Sequence, residues 1–285
     1  MQTILRSKTR QVSIDHQGTF TIIGEKINPT GRKKLVAALQ AENWDFVREQ
    51  ARLQVDAGAD VLDVNVGVPG LDEVSVLPRV VRMLANEFDI PLALDTANPA
   101  ALAAALPECS GKSLVNSVTG EEASLTAVLP LVKEFGAAVI ALTMDDNGIP
   151  QDAEGRVAIA GRILECAARS GIPAADVIID PLVLTVGAES NSARVTLQTI
   201  QLIQSEFGVN INIGASNVSY GLPERDNVNL AFLALAISAG ASCAITDSLK
   251  YCLFLRAVDL LRGRDSYAMR YLKYYRAHPP APPPA

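Results

Sequence analysis

The chain has only two histidines, His16 and His278, and both lie near its ends. That argues against a histidine-ligated metal centre or a Ser-His-Asp triad in the body of the 285 residues, because both need an imidazole among the other groups. Cysteine is scarce as well. Cys109, Cys166, Cys243 and Cys252 lie far apart and form no CxxC pair, so a zinc ribbon or a disulfide framework is not expected. The expectation is a reduced cytoplasmic protein whose thiols serve as small apolar side chains. Aromatic residues make up 5% of the chain against 49% hydrophobic residues, so the core is aliphatic, as suits a parallel sheet under helices. No strand-linked GxGxxG supports a dinucleotide-binding sheet. Basic residues are outnumbered, 25 to 31, and the net charge of −6 with a pI near 5.1 argues against a general nucleic-acid binder. Met1–Arg10 is basic and polar with no apolar run behind it, so no secretory leader is expected.

One long stretch could pass for a membrane span. No charge occurs between Asp226 and Asp247. Asn227, Asn229, Ser238, Gly240, Ser242 and Thr246 interrupt it, however, and Ala239-Gly240-Ala241 makes a break. A buried helix followed by a buried strand is the expected structure.

Periodicity along the chain gives eight strand-helix units. Phe20–Glu25, Val61–Asn65, Pro91–Asp95, Leu114–Asn116, Ala138–Met144, Val177–Asp180, Ile211–Gly214 and Cys243–Asp247 are short apolar runs of strand type. Between them lie helical stripes, such as Trp44, Val47, Ala51 and Val55, or Val74, Leu77, Val81, Leu84 and Phe88. Glycines at 58, 136 and 171 close three of these helices, and Asn98-Pro99 opens another with proline in its first turn. Eight such units predict an α/β protein with a single (β/α)8 barrel of the TIM type, over residues 19–265. Residues 1–18 read as an N-terminal extension or cap. Residues 266–285 read as a basic and aromatic segment, carrying Tyr267, Tyr271, Tyr274 and Tyr275, followed by a proline-rich tail. Its tyrosines are expected to pack on the body or on a second subunit, and the proline run to be extended.

In a parallel barrel every strand's C-terminal end reaches one face. Polar residues end nearly all of these strands: Glu25, Asp63 and Asn65, Asp95, Asn116, Asp180, Asn217 and Asp247. Any one could cap a helix, and Glu25 and Asp247 fit that role singly. Asp95, Asn116 and Asp180 follow directly on apolar runs, and few cations lie near them in sequence. Buried charge must be paired or bound, which points to a ligand rich in donors. Two Asp and one Asn match the edge of a flat amino-heterocycle, yet the same carboxylates could hold Mg²⁺. The most informative stretch is Ile211–Arg225, Ile-Asn-Ile-Gly-Ala-Ser-Asn-Val-Ser-Tyr-Gly-Leu-Pro-Glu-Arg, a strand running into a loop of small and polar residues. There Gly214 and Gly221 permit close backbone approach, and Ser216, Asn217 and Ser219 offer neutral donors and acceptors.

Seven motifs then occur in one order: Gly24-Glu25-Lys26-Ile27-Asn28, Leu62-Asp63-Val64-Asn65-Val66-Gly67, Leu94-Asp95-Thr96, Val115-Asn116-Ser117, Leu142-Thr143-Met144 with Gly148-Ile149-Pro150, Ile179-Asp180-Pro181-Leu182, and Gly214-Ala215-Ser216-Asn217-Val218-Ser219. Together they resemble the methyltetrahydrofolate:corrinoid methyltransferase family, pterin-binding barrels related to dihydropteroate synthase, over about Phe20 to Arg262. The resemblance implies methyltetrahydrofolate or tetrahydrofolate as substrate, a corrinoid (cobalamin) carried by a partner protein, a homodimer, and no metal held by the chain itself. It places the pterin edge on Asp95, Asn116 and Asp180, and Asn217 beside the methyl-bearing nitrogen as the catalytic group. Gly214, Ser216 and Arg225 are implied near the folate, with Glu25, Asn28, Asp63, Asn65 and Ser219 in support. Two departures stand out: Thr96-Ala97 where members often have Ser-Thr, and Tyr220 where a known member carries Gln. The alternatives are a dihydropteroate synthase-like enzyme and a non-catalytic folate- or pterin-binding protein. The first should show Asp-Ser-Phe-Ser after the first strand, where this chain has Asn28-Pro29-Thr30-Gly31-Arg32, and a late Ser-x-Arg-x-His, which this chain lacks.

Overall fold

The chain begins with an antiparallel pair, β1 (Gln2–Arg6) and β2 (Gln11–Asp15), in a computed structural model that describes residues 1–279. Eight parallel strands follow: β3 (Thr21–Ile27), β4 (Val61–Val64), β5 (Leu92–Asp95), β6 (Leu114–Thr119), β7 (Ala138–Leu142), β8 (Val177–Asp180), β9 (Asn212–Gly214) and β10 (Cys243–Thr246). They pair in the order β8-β7-β6-β5-β4-β3-β10-β9, and one bridge between Ile179 and Ile211 joins the two ends. The Ile179 amide donates to the Asn210 carbonyl at 2.9 Å across that seam. The result is the (β/α)8 barrel expected from the eight units.

Helices cover the outside. α1 (Lys33–Gln40) and α2 (Trp44–Asp56) follow β3, and α3 (Glu73–Glu87) and α4 (Pro99–Ala105) follow β4 and β5. α5 (Glu122–Phe135), α6 (Ala153–Arg169), α7 (Ser192–Phe207) and α8 (Arg225–Ala239) continue round the barrel, and α9 (Ser248–Leu261) and α10 (Met269–Ala277) complete it. Asn98 accepts from the Ala100 and Ala101 amides ahead of Pro99, so the expected start of α4 is a capped one. The uncharged stretch becomes α8 followed by β10. Among the described residues no helix is long and apolar enough to cross a membrane.

Two details differ from the sequence reading, and a third decides between its alternatives. α1 was not expected, since its only fully buried side chains are Leu35, Ala38 and Leu39. The first strand runs on to Ile27 through a bulge, with Gly24 opposite Leu62 but Ile27 opposite Val64. The bulge takes the Lys26 amide out of the ladder, and buried Gln54 accepts from it at 2.8 Å. Gly24 is needed there, because a Cβ would stand 2.4 Å from Gln54 Oε1. The third detail is the N-terminus. Leu5, Val12 and Ile14 of the hairpin are buried with Ile23, Val61, Ala93, Leu114, Ala138, Ile140, Ile178 and Cys243, which fill the barrel. Of the two readings of residues 1–18, the structure shows the cap, a plug in the lower end, and not a free extension.

The C-terminal segment meets its expectation in part. Tyr274 packs against the core and stacks on His278 with ring centroids 4.3 Å apart, while Tyr267 and Tyr275 are exposed. The proline run from residue 280 onward lies outside the described residues.

Asn210 anchors the plug. Its amide donates to the Ile14 carbonyl at 2.8 Å and to Thr3 Oγ1 at 2.9 Å, in full burial. Asn210→Ala leaves both acceptors without that donor and should lower unfolding free energy by roughly 1–3 kcal/mol. Urea denaturation checks this against Gln17→Ala on the exposed turn. Equal midpoints for the two variants would show that the plug is not held here.

Candidate active site

On five strands the inward-facing position changes character near the top of the barrel. Ile23 is followed two residues later by Glu25, Val61 by Asp63, Ala93 by Asp95, Leu114 by Asn116 and Ile178 by Asp180. The two-residue period of a strand keeps each pair on one face. Parallel closure then sets the apolar members in the barrel core and the polar ones at its C-terminal mouth.

At the mouth these groups meet in pairs. Asn116 Nδ2 donates to Asp63 Oδ1 at 3.1 Å, and Asn28 Nδ2 to Asp95 Oδ2 at 3.1 Å. Asn212 Nδ2 donates to Asp180 Oδ2 at 2.7 Å, while the Leu182 amide donates to Asp180 Oδ1 at 2.8 Å. Asn65 holds its own loop by accepting from the Gly67 amide at 2.7 Å. No cation stands within ion-pair distance of Asp63, Asp95 or Asp180 among the described residues. Lys26 pairs with Asp247, and Arg32 with Glu25 at 2.9 Å.

Burial without an ion-pair partner shapes the titration of all three. Burial, then the charges of Asp95 and Glu25, push Asp63 well above the usual carboxylate range, against the Asn116 hydrogen bond. Burial likewise raises Asp95. Asp180 is pushed up to about 6 by burial, with the Leu182 and Asn212 donors and the more distant charge of Arg156 opposing. Such carboxyl groups are stabilised by any N–H donor that enters the mouth, and a donor-rich neutral ring provides several. Among the described residues no group of three or more His, Cys, Asp or Glu side chains is arranged to hold a metal ion.

The loop after β9 is pinned on both sides of Asn217. Ser216 Oγ donates to Glu25 Oε2 at 2.9 Å, Arg225 donates to the Ser216 carbonyl at 2.7 Å, and Arg225 Nε donates to buried Ser219 Oγ at 3.0 Å. Asn217 itself is exposed at the end of a short 3-10 turn, Ala215–Asn217. Its amide lies over Gly214, where an added Cβ would stand 3.0 Å from Asn217 Nδ2. Glycine at 214 thus leaves the space that the amide occupies. A cleft of about 400 Å³ opens beside Asp95 and Asn116, and a smaller one of about 150 Å³ lies among Glu25, Ser216, Arg225 and Lys250.

The sequence reading separated these groups differently at some points. Asp247 is a helix cap, accepting from the Leu249 amide at 3.1 Å, and also an ion-pair partner. Glu25 caps no helix and instead joins Arg32 to Ser216. Asn212 was not singled out, although a lone Asn between Ile211 and Ile213 in a short apolar strand was a usable signal. Arg156 gave none. It is buried on α6 and donates to the Pro150, Pro181 and Leu182 carbonyls, which holds the loop behind Asp180.

Fold and mouth together define a (β/α)8 barrel suited to a flat, donor-rich ring. The match to a family model then makes the assignment: the chain belongs to the pterin binding enzyme family, whose model covers residues 24–247. It is 30% identical over 263 residues to the methylcorrinoid:tetrahydrofolate methyltransferase of Eubacterium limosum, covering 90% of this chain and 96% of that protein. It is 32% identical over 242 residues to the methionine synthase of Mycobacterium tuberculosis, of which it spans only 20%. Among solved structures, the dihydropteroate synthase of Yersinia pestis superposes with a TM-score of 0.68 at 17% identity, over 92% of this chain and 99% of that one. The Xanthomonas albilineans dihydropteroate synthase gives 0.68 at 18%, over 91% and 98%. Likeness at such identity is one of fold.

The raised titration of Asp180 has a measurable sign. Its folded-state value of about 6 exceeds the ordinary 3.8, so the folded protein holds this proton more tightly than the unfolded chain. Stability therefore falls as pH rises from about 4 to 6, by an amount on the order of 3 kcal/mol for this group. Asp180→Asn removes the titration and should flatten that fall in urea midpoints taken across the range. Parallel profiles for the two proteins would rule out a perturbed Asp180.

Proposed function

We propose that this chain is a methyltransferase that moves a methyl group between methyltetrahydrofolate and the cobalt of a corrinoid carried by a separate protein. The observation that carries the proposal is the mouth itself, with three uncharged-partnered carboxyl groups and Asn116 beside a pinned turn that presents Asn217. Kinship supports the reaction class, since the Eubacterium limosum relative is named for methyl exchange between a corrinoid and tetrahydrofolate. In this reading Asp95, Asn116 and Asp180 accept from and donate to the edge of the pterin. Asp63 and Asn212 hold Asn116 and Asp180 in position, and Arg225 lies toward the rest of the folate.

Chemically, the difficulty is the leaving group. When cobalt(I) takes the methyl, its electron pair forms the carbon–cobalt bond. The carbon–nitrogen pair stays on the pterin nitrogen, which must gain a proton or a strong donor. In the reverse direction the nitrogen attacks and the same pair returns to cobalt. The body of the chain has no histidine to supply the proton. A preorganised amide at Asn217 can donate to that nitrogen and follow it as charge develops. Such a contact acts mainly in the transition state.

A dihydropteroate synthase reading is less well supported, because the first loop, Asn28–Arg32, is committed to Asp95 and Glu25 through Asn28 and Arg32. A non-catalytic pterin carrier would have no use for the exposed, unpartnered Asn217. The enzyme is further read as a cytoplasmic homodimer, and light scattering should return about twice the 30.3 kDa chain.

Single-turnover methyl transfer to free cob(I)alamin tests the reaction. Asn217→Ala should lose about 10²–10³ in rate at unchanged melting temperature. Rate loss matched by a fall in melting temperature would make Asn217 a loop residue. Asp95→Ala, Asn116→Ala and Asp180→Ala should each weaken methyltetrahydrofolate binding roughly tenfold to hundredfold in calorimetric titration. Wild-type affinity in all three would remove the pterin from this mouth.

A further inference from the structure

Tyr220 is 72% exposed at the barrel mouth, on the turn that carries Asn217. Its amide donates to the Asn217 carbonyl at 3.1 Å, so the two residues sit on one tight turn. That turn is fastened from outside as well. The Tyr220 carbonyl accepts from Thr185 Oγ1 at 2.7 Å, and the Val186 amide donates to the Val218 carbonyl at 3.0 Å, tying the loop after β8 to the loop after β9. The Arg225 guanidinium lies 5.9 Å from the centroid of the Tyr220 ring while also bonding Ser216 and Ser219. The Tyr220 backbone is thus fastened at the mouth, and most of its ring is turned to solvent beside Arg225. Core packing does not require it.

The geometry of methyl transfer gives the ring a use. In-line displacement places the nitrogen, the methyl carbon and the cobalt on one axis, with the metal on the solvent side of the methyl. The corrin macrocycle is far wider than the methyl that it exchanges. With the methyl-bearing nitrogen at Asn217, as in the reading above, the macrocycle would lie across the residues that flank it. Such a macrocycle presents a flat conjugated face around its metal and is edged with amide side chains. A tyrosine offers both matching features, a ring face for dispersion contact and a hydroxyl for an amide.

We propose that Tyr220 is an acceptor-positioning residue, whose ring supports the corrinoid macrocycle beside Asn217. The inference rests on the methyl-transfer reading and adds to it a contact on the corrinoid side of the reacting methyl. Tyr220 acts on the corrinoid and not on the folate, so its loss should separate the two substrates.

The test is initial-rate methyl transfer at saturating methyltetrahydrofolate over a range of free cob(I)alamin, for wild type, Tyr220→Ala and Tyr220→Phe. Folate affinity is measured alongside by calorimetry. Tyr220→Ala should raise the KM for cob(I)alamin about tenfold, with kcat falling by less and folate affinity within about twofold of wild type. Tyr220→Phe keeps the ring and should recover most of the KM. An unchanged KM in Tyr220→Ala, with active wild type, overturns the acceptor role alone. Weakened folate binding without a KM change moves Tyr220 to the folate side and also overturns it. Absence of transfer in the wild type overturns the reaction itself, and the acceptor role falls with it.

Discussion

Burial of carboxyl groups that have no cation to pair with is the constraint on which the mouth of this barrel depends. Removing a carboxylate from water costs several kcal/mol unless donors replace the lost solvent. Here the replacement is made with amides: Asn116 for Asp63, Asn28 for Asp95, and Asn212 with a backbone amide for Asp180. One side-chain amide per carboxyl, with a backbone amide added only at Asp180, is enough to orient the group and too little to satisfy it. The acids remain raised in pKa, and each gains from a further N–H donor. A site built this way favours a neutral heterocycle over a simple anion, whose charge would oppose the acids.

The rest of the molecule keeps that arrangement rigid. A barrel filled by Ile, Val, Leu and Ala at its centre cannot collapse to relieve the polar layer above, because close-packed aliphatic side chains leave no space for it to move into. The N-terminal hairpin supplies Leu5, Val12 and Ile14 to the same cluster from below. Arg156 uses three donor contacts on carbonyls of the loops that follow β7 and β8, and so fixes the backbone that donates to Asp180. Ion pairs at the mouth, Lys26 with Asp247 and Arg32 with Glu25, lie at its border and leave the central acids alone.

Similarity of fold here is wider than similarity of chemistry. Dihydropteroate synthases share the barrel at identities near one in six, whereas relatives near one in three are named for methyl transfer or methionine synthesis. The physical basis is that a (β/α)8 core fixes where strand ends converge, and the loops decide what is done there. In this chain the loop after β9 is the distinctive one. Two serines and an arginine hold its ends, and the asparagine and tyrosine between and after them are left facing outward.

Eight strands, their order of appearance and the polar residue at the end of most of them followed from the sequence alone, because apolar periodicity and strand length are local properties. So did the members of the mouth Glu25, Asp63, Asp95, Asn116 and Asp180, since each is the inward position next above an apolar one. Tertiary structure alone decided who meets whom. Asn116 reaches Asp63 across 53 positions, Asn28 reaches Asp95 across 67, and Ser216 reaches Glu25 across 191, contacts that only barrel closure creates. The same closure turned residues 1–18 into a plug, gave buried Arg156 its carbonyl partners, and left Asn217 exposed above Gly214, because each of these depends on chain segments distant in sequence being brought to one point in space.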